Sequence, residues 1–173
     1  MATALAAAYT DYDSAKRKLD LIASDRLGPG ARVELTSREL NAYAQHEAPP
    51  GVRNPRLEIT SAGLATGSAA VDFNALQRGQ GHDPGWLMSK LLEGERPVTV
   101  TARLTSSNGQ ARVDVEQVTI SGIEIAGPKL DFLIHNFLLA LYPDAAVDRS
   151  FDLSHHIDRL EVRPGGVNVV IGH

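Results

Sequence analysis

The sequence predicts an α+β fold: a long, curved antiparallel β-sheet of hairpins, wrapped around or covered by one hydrophobic helix over residues 128–142. Three observations predict it. PKLDFLIHNFLLALYP, from Pro128 to Pro143, is apolar on almost every side. Several segments alternate apolar and polar residues, the period of a strand with one buried face, and turn pairs separate them. The first segment instead repeats its apolar residues at steps of three and four, the period of a surface helix.

In chain order, Leu5, Ala8, Tyr12, Ala15, Leu19 and Ile22 form that stripe, giving an N-terminal amphipathic helix over 1–27 closed by Gly28-Pro29-Gly30. Val33 and Leu35 then alternate as in a half-buried strand. Thr36 and Glu39 fit a capping box, in which each side chain satisfies a free N–H of the first turn. A short helix near 37–47, carrying Leu40 and Tyr43, follows and stops before Pro49-Pro50-Gly51. Leu57 and Ile59 lead to a turn at Ala62-Gly63, and the returning strand carries Val71 and Phe73. A short helix near 84–93 is capped by Asp83, opened by Pro84 and closed by Gly94. The glycines before it suit either a movable lid or a plain connection. Val98, Val100, Ala102 and Leu104 alternate with Thr99, Thr101, Arg103 and Thr105. Asn108-Gly109 is the strongest hairpin signal, because both residues tolerate positive φ. On the partner strand the phase shifts between Val115 and Val118, which predicts a bulge. A last hairpin, Ile157 to Ile171, turns at Pro164-Gly165-Gly166.

In the helix over 128–142, Pro128 suits a first turn and Pro143 a stop. Only Asp131, His135 and Asn136 make a polar stripe. Leaving four of its large side chains in water would forfeit roughly 6–12 kcal/mol, comparable to the ~5–15 kcal/mol stability of a whole domain. Something must cover both faces. The one-sided sheet is the obvious partner, since no other segment has enough apolar surface.

At 173 residues with 43% apolar and 22% charged residues, the chain reads as one domain, 1–173, with a helix over 1–27 and a sheet-and-helix body over 31–173. A net charge of −4 and the lack of a basic patch among aromatics argue against nucleic-acid binding. The one basic run, Lys16-Arg17-Lys18, lies among Asp11, Asp13 and Asp20 and reads as a solvated helix face. With no cysteine, disulfides, thiol catalysis and thiolate metal sites are excluded. No apolar run approaches the ~20 residues that span a bilayer. The opening MATALAAAYTDY has no basic n-region and is not an intact signal peptide; it fits a start from which a leader or anchor has been removed.

Catalytic patterns are missing. There is no G-x-S-x-G elbow, no S-x-x-K and no H-E-x-x-H, and Gly79-Gln80-Gly81 lacks the rest of a dinucleotide loop. His155 and His156, adjacent on a strand, point to opposite faces; His156 and Asp158 share one, but two ligands do not make a metal site. His135 and Asp131, one turn apart, make a catalytic pair conceivable, and a hydrolase using them is the third reading of the chain. A non-enzyme without cofactor or metal is expected.

The order of elements resembles bacterial envelope proteins of the tubular lipid-binding type, relatives in shape of the bactericidal/permeability-increasing and synaptotagmin-like lipid-binding domains. VELTSRELNAYAQ, the block QVTISGIEIAGPKLDFLIHNFLLALYPD and the closing FDLSHHIDRLEVRPGGVNVVI carry the resemblance, over roughly residues 31–173. In that family a highly curved sheet wraps a long helix, and acyl chains lie in the seam. The resemblance implies non-catalytic binding or shuttling of a lipid or other apolar ligand in a bacterial periplasm or envelope, with a tunnel that is brief or open at one side. A cytoplasmic location is the alternative. Phe132, Leu133, Phe137, Leu138 and Leu141 would line one wall, Tyr43 and Trp86 would frame a mouth, and Leu87 would also meet the ligand. Asp131 and His135 would meet a head group. The competing reading is an interaction module of the envelope that buries the helix face in a homodimer or another partner.

Overall fold

The computed structural model describes residues 2–77, 90, 92–139 and 146–173. The strands form an α+β arrangement of antiparallel pairs, divided between two sheets. The smaller sheet is built from the two ends of the chain. Strand β1 (Arg32–Thr36) pairs with the last strand, β9 (Gly166–Ile171), which pairs in turn with β8 (Ile157–Arg163). Helix α1 (Ala2–Ala23) lies over this sheet together with α2 (Ser37–His46). The threefold-fourfold spacing explains how: Ala15 and Ile22 are buried and Leu19 half-buried, against Val33, Leu35, Val169 and Ile171. One helix does not cover all the strands, contrary to the expectation from the sequence. A narrow stripe suffices for three short strands, so the smaller sheet has its own cover and its own core.

The capping box at the start of α2 has a second task. The Glu39 backbone N–H donates to Thr36 Oγ1 (3.2 Å), and Glu39 Oε2 accepts from the Thr36 N–H (2.8 Å). The same carboxylate, buried, accepts from the Ser14 hydroxyl and from Lys18 Nζ (2.8 Å) on α1. Lys18 also donates to the Glu34 carbonyl (2.7 Å), so one acid ties together two helices and a strand. The expectation that Lys16-Arg17-Lys18 is simply a solvated face fits Lys16, which pairs with Asp20, but not Lys18. Burial alone would push the Glu39 carboxyl up. The hydrogen bonds from Lys18, Ser14 and Thr36, and the Lys18 charge, outweigh it and hold the group at about 2. A carboxyl depressed in the folded state stabilises above its ordinary value of 4.5, and that contribution disappears as pH falls towards 2. We therefore expect a denaturant titration to show a loss of roughly 3 kcal/mol across this window, at ~1.4 kcal/mol for each tenfold change in proton affinity. A Glu39→Gln variant should be less stable at neutral pH and show a flatter acid limb; an identical limb in both proteins would remove Glu39 as the cause.

The larger sheet takes the order β2 (Val52–Ser61), β3 (Leu64–Asp72), β4 (Glu95–Ser107), β5 (Gln110–Ile120) and β6 (Ile123–Ile125), with β7 (Ser150–Asp152) also pairing with β5. Turns fall at Ala62-Gly63 and at Asn108-Gly109, where φ is 51° and 76°. The phase shift between Val115 and Val118 is a real bulge. Thr101 faces Gln117 but Ala102 faces Val115, which leaves Glu116 outside the register. Glu116 instead accepts from Arg103 Nε at 2.8 Å. The bulge keeps Ala111, Val113 and Val115 on the same face as Val118 and Ile120. On the outer edge of β2, the Asn41 carboxamide bonds both backbone groups of Leu57: Leu57 N–H donates to Oδ1 (2.7 Å), and Nδ2 donates to the Leu57 carbonyl (2.9 Å).

The two sheets meet along β8. The Leu160 N–H donates to Ser106 Oγ (2.8 Å), and that hydroxyl donates back to the Leu160 carbonyl (3.1 Å). The turn amides of Gly63 and Gly109 donate to the carbonyls of Val162 (2.9 Å) and Asp158 (2.8 Å). His155 and His156 are not on a strand; both have φ of 57° in the turn before β8, so the opposite-faces argument does not apply. His155 Nδ1 lies 3.1 Å from Asp25 Oδ1, and His156 is exposed. Among the described residues, no cluster of His, Asp and Glu has the grouping a metal needs, and no helix is long and apolar enough to cross a membrane.

Candidate functional site

Phe73 is expected at the end of a strand; it opens a short helix instead, α3 (Phe73–Gln77). The apolar segment starts as α4 (Pro128–Leu133) after Gly127 and then widens into a π-helical turn, Ile134–Leu138. A single regular helix is expected there. Two side-chain bonds to the backbone accompany the widening. Asn136 Nδ2 donates to the Phe132 carbonyl (2.8 Å), and His135 Nδ1 donates to the Asp131 carbonyl (2.9 Å). These are the carbonyls that the amides of the same two residues would use in an α-helix. The backbone reaches one residue further back instead, as when Leu139 N–H bonds the Ile134 carbonyl.

This segment faces the inner side of the larger sheet. Leu133 and Phe137 are buried in one cluster with Phe73, Leu92, Val118, Ile120 and Ile125. Phe137 meets Phe73 edge-on at 5.0 Å between ring centres, and Phe132 at 6.3 Å. The contact is not closed throughout. A cleft of about 250 Å³ opens between the two, walled by Val52, Val71, Val98, Val100, Val115, Val118 and Ile120 of the sheet. On the opposite side stand Leu130, Leu133, Ile134, Phe137 and Leu138, and Phe73 joins the lining. Every one of these side chains is hydrocarbon.

Of the residues expected to hold an apolar ligand, Leu133, Phe137 and Leu138 line the cleft, and Phe132 packs beside it. Trp86, Leu87 and Leu141, and most of the helix expected near 84–93, lie outside the described residues. Tyr43 stands in the other core, stacked on Tyr12 at 5.9 Å. Asp131 and His135 are exposed and line no part of the cleft; the imidazole meets the Asp131 carbonyl rather than its carboxylate. Leu130, Ile134 and the sheet wall line the cleft in addition to the residues the sequence predicts. The alternation of Val98, Val100, Val115, Val118 and Ile120 was legible, but nothing in a strand pattern says which part of its apolar face stays uncovered.

A second depression, about 460 Å³, lies between α2 and strands β2 and β3. Ser37, Arg38, Asn41, Arg56, Glu58, Thr66 and Ser68 line it. Its polar groups are partly committed already: Arg38 pairs with Asp11 (3.1 Å), and Asn41 is the clamp on Leu57. Compared with known proteins, the chain matches no family model, no curated protein and no solved structure.

Proposed function

We propose that the protein binds a lipid chain or another apolar ligand in this cleft, without catalysis, and carries or presents it in a bacterial envelope. In this reading the six-stranded sheet curves around the apolar helix and the ligand lies in the seam between them, as the resemblance to tubular lipid-binding proteins implies. The observation that carries it is the hydrocarbon lining, shared by Leu133, Phe137 and Leu138 with the sheet. Water gains nothing from such walls: an apolar cavity of ~150 Å³ stays dry and takes up benzene. At about 250 Å³ the cleft is smaller than the roughly 300–1,000 Å³ of sites for drug-sized ligands. It suits one short stretch of acyl chain, with the rest outside, rather than a whole enclosed lipid.

Native mass spectrometry of freshly purified protein, followed by organic extraction, tests the proposal. Near-stoichiometric apolar material should leave with the protein. Leu138 is half-buried at the cleft, so Leu138→Asp should keep the fold while reducing ligand retention severalfold. An apo mass from the wild type, together with no uptake of an added acyl probe, would sink the reading; an apo dimer would favour an interaction module instead.

A further inference from the structure

Arg96 lies near the start of β4, on the face that carries Val98 and Val100, and directly opposite Val71 in the β3 register. Val71, Val98 and Val100 all line the cleft, so Arg96 stands at the end of the strand row that forms its wall. It is half-buried, and its Nε is fully shielded from solvent with no hydrogen-bond partner. Nη2 has one long contact, 3.5 Å to the Lys90 carbonyl. Among the described residues no carboxylate pairs with it. Its neighbour Glu95 is turned to the other face of the sheet, where it pairs with Arg53 at 2.8 Å.

A guanidinium stays charged at any working pH and has only donors to offer. Leaving one of them buried and unpaired costs free energy, more so for a charged group. Carboxylate and phosphate oxygens match its planar fork best. We infer that the ligand of the cleft is an anionic amphiphile: a single acyl chain against the valine wall, with a carboxylate or phosphate head group held by Arg96. This rests on the apolar-ligand reading and adds the head group to it. It also moves the head group away from Asp131, whose own charge would repel an anion.

Calorimetric titration of the full chain with octanoate, octyl phosphate and octan-1-ol separates the possibilities. Octanoate or octyl phosphate should bind roughly ten- to hundredfold tighter than octan-1-ol, the scale of a hydrogen bond to a charged group, and whichever of the two is tighter names the head group. Arg96→Gln should bring the anions down to the level of the alcohol and leave the alcohol unchanged. Equal affinity of the wild type for anions and alcohol overturns the assignment of Arg96 while leaving the apolar site standing, and this comparison needs no folded variant. An anion preference that survives in Arg96→Gln, with its thermal transition intact, overturns it as well. Failure of all three probes to bind would overturn both readings together.

Discussion

Ile120→Ala should lower stability by about 2–5 kcal/mol, the range for removing a large aliphatic side chain from a core. Ile120 is completely buried, and it sits where β5 ends, opposite Val98 on one side and Ile123 on the other. It therefore packs at the point where the sheet, the helix and the cleft share side chains. Collapse of the cavity left behind is limited, because the neighbouring strands are held in register on both sides. For a chain of this size a thermal transition lower by roughly 4–20 °C is expected, at ~2–4 °C per kcal/mol. A shift of only a degree or two would mean that the helix side of the core re-packs freely, and that Ile120 is not held as tightly as its burial implies.

Gly166→Ala is expected to cost about 3 kcal/mol or more, at the upper end for an overpacked site. Gly166 is the first residue of the central strand β9, paired with Thr36 on one side and Arg163 on the other. A Cβ there would run into the Leu35 carbonyl oxygen and would lie 3.1 Å from Thr36 Cα. Both obstacles are backbone and cannot swing aside. The adjacent turn glycine makes an instructive contrast. Gly165 has free space around a Cβ but sits at φ of 101°, so alanine there is opposed by backbone conformation alone. Chemical denaturation of the two variants checks the assignment: Gly166→Ala should be the more damaging, and the reverse order would show that β1 and β9 can part without much loss.

Local signals account for what the sequence revealed. The Thr36–Glu39 capping box, the Asn108-Gly109 hairpin and the bulge after Val115 each depend on a few neighbouring residues, and each is found where those residues place it. What the sequence concealed depends on contacts between distant segments. Alternation in Val33 and Leu35 looks the same as alternation in Val98 and Val100, so nothing local says that the first pair joins the C-terminal hairpin in a separate sheet. Lys18 looked like a solvent-facing cation because its partner, Glu39, is 21 residues away. The apolar helix was legible as a segment that needs cover, and three of its expected ligand-facing residues do line the cleft. Its π-helical turn was not, since an Asn or His that bonds a carbonyl one turn back is written in the same letters as one that faces water. Arg96 reads as an ordinary charged residue at a strand start until the register sets it in the row of Val98 and Val100.

The clamp between Asn41 and Leu57 bears on how copies of this chain behave towards one another. β2 is the last strand on its side of the larger sheet, the place where a sheet can go on growing by recruiting another chain. A recruited strand needs a run of free amides and carbonyls. At Leu57 both are already taken by a side chain that imitates a neighbouring strand. Two residues earlier Pro55 has no amide to give, and Arg53, Arg56 and Glu58 bring charge to the same rim. One carboxamide and one proline thus interrupt the template that β2 would offer to another strand in register.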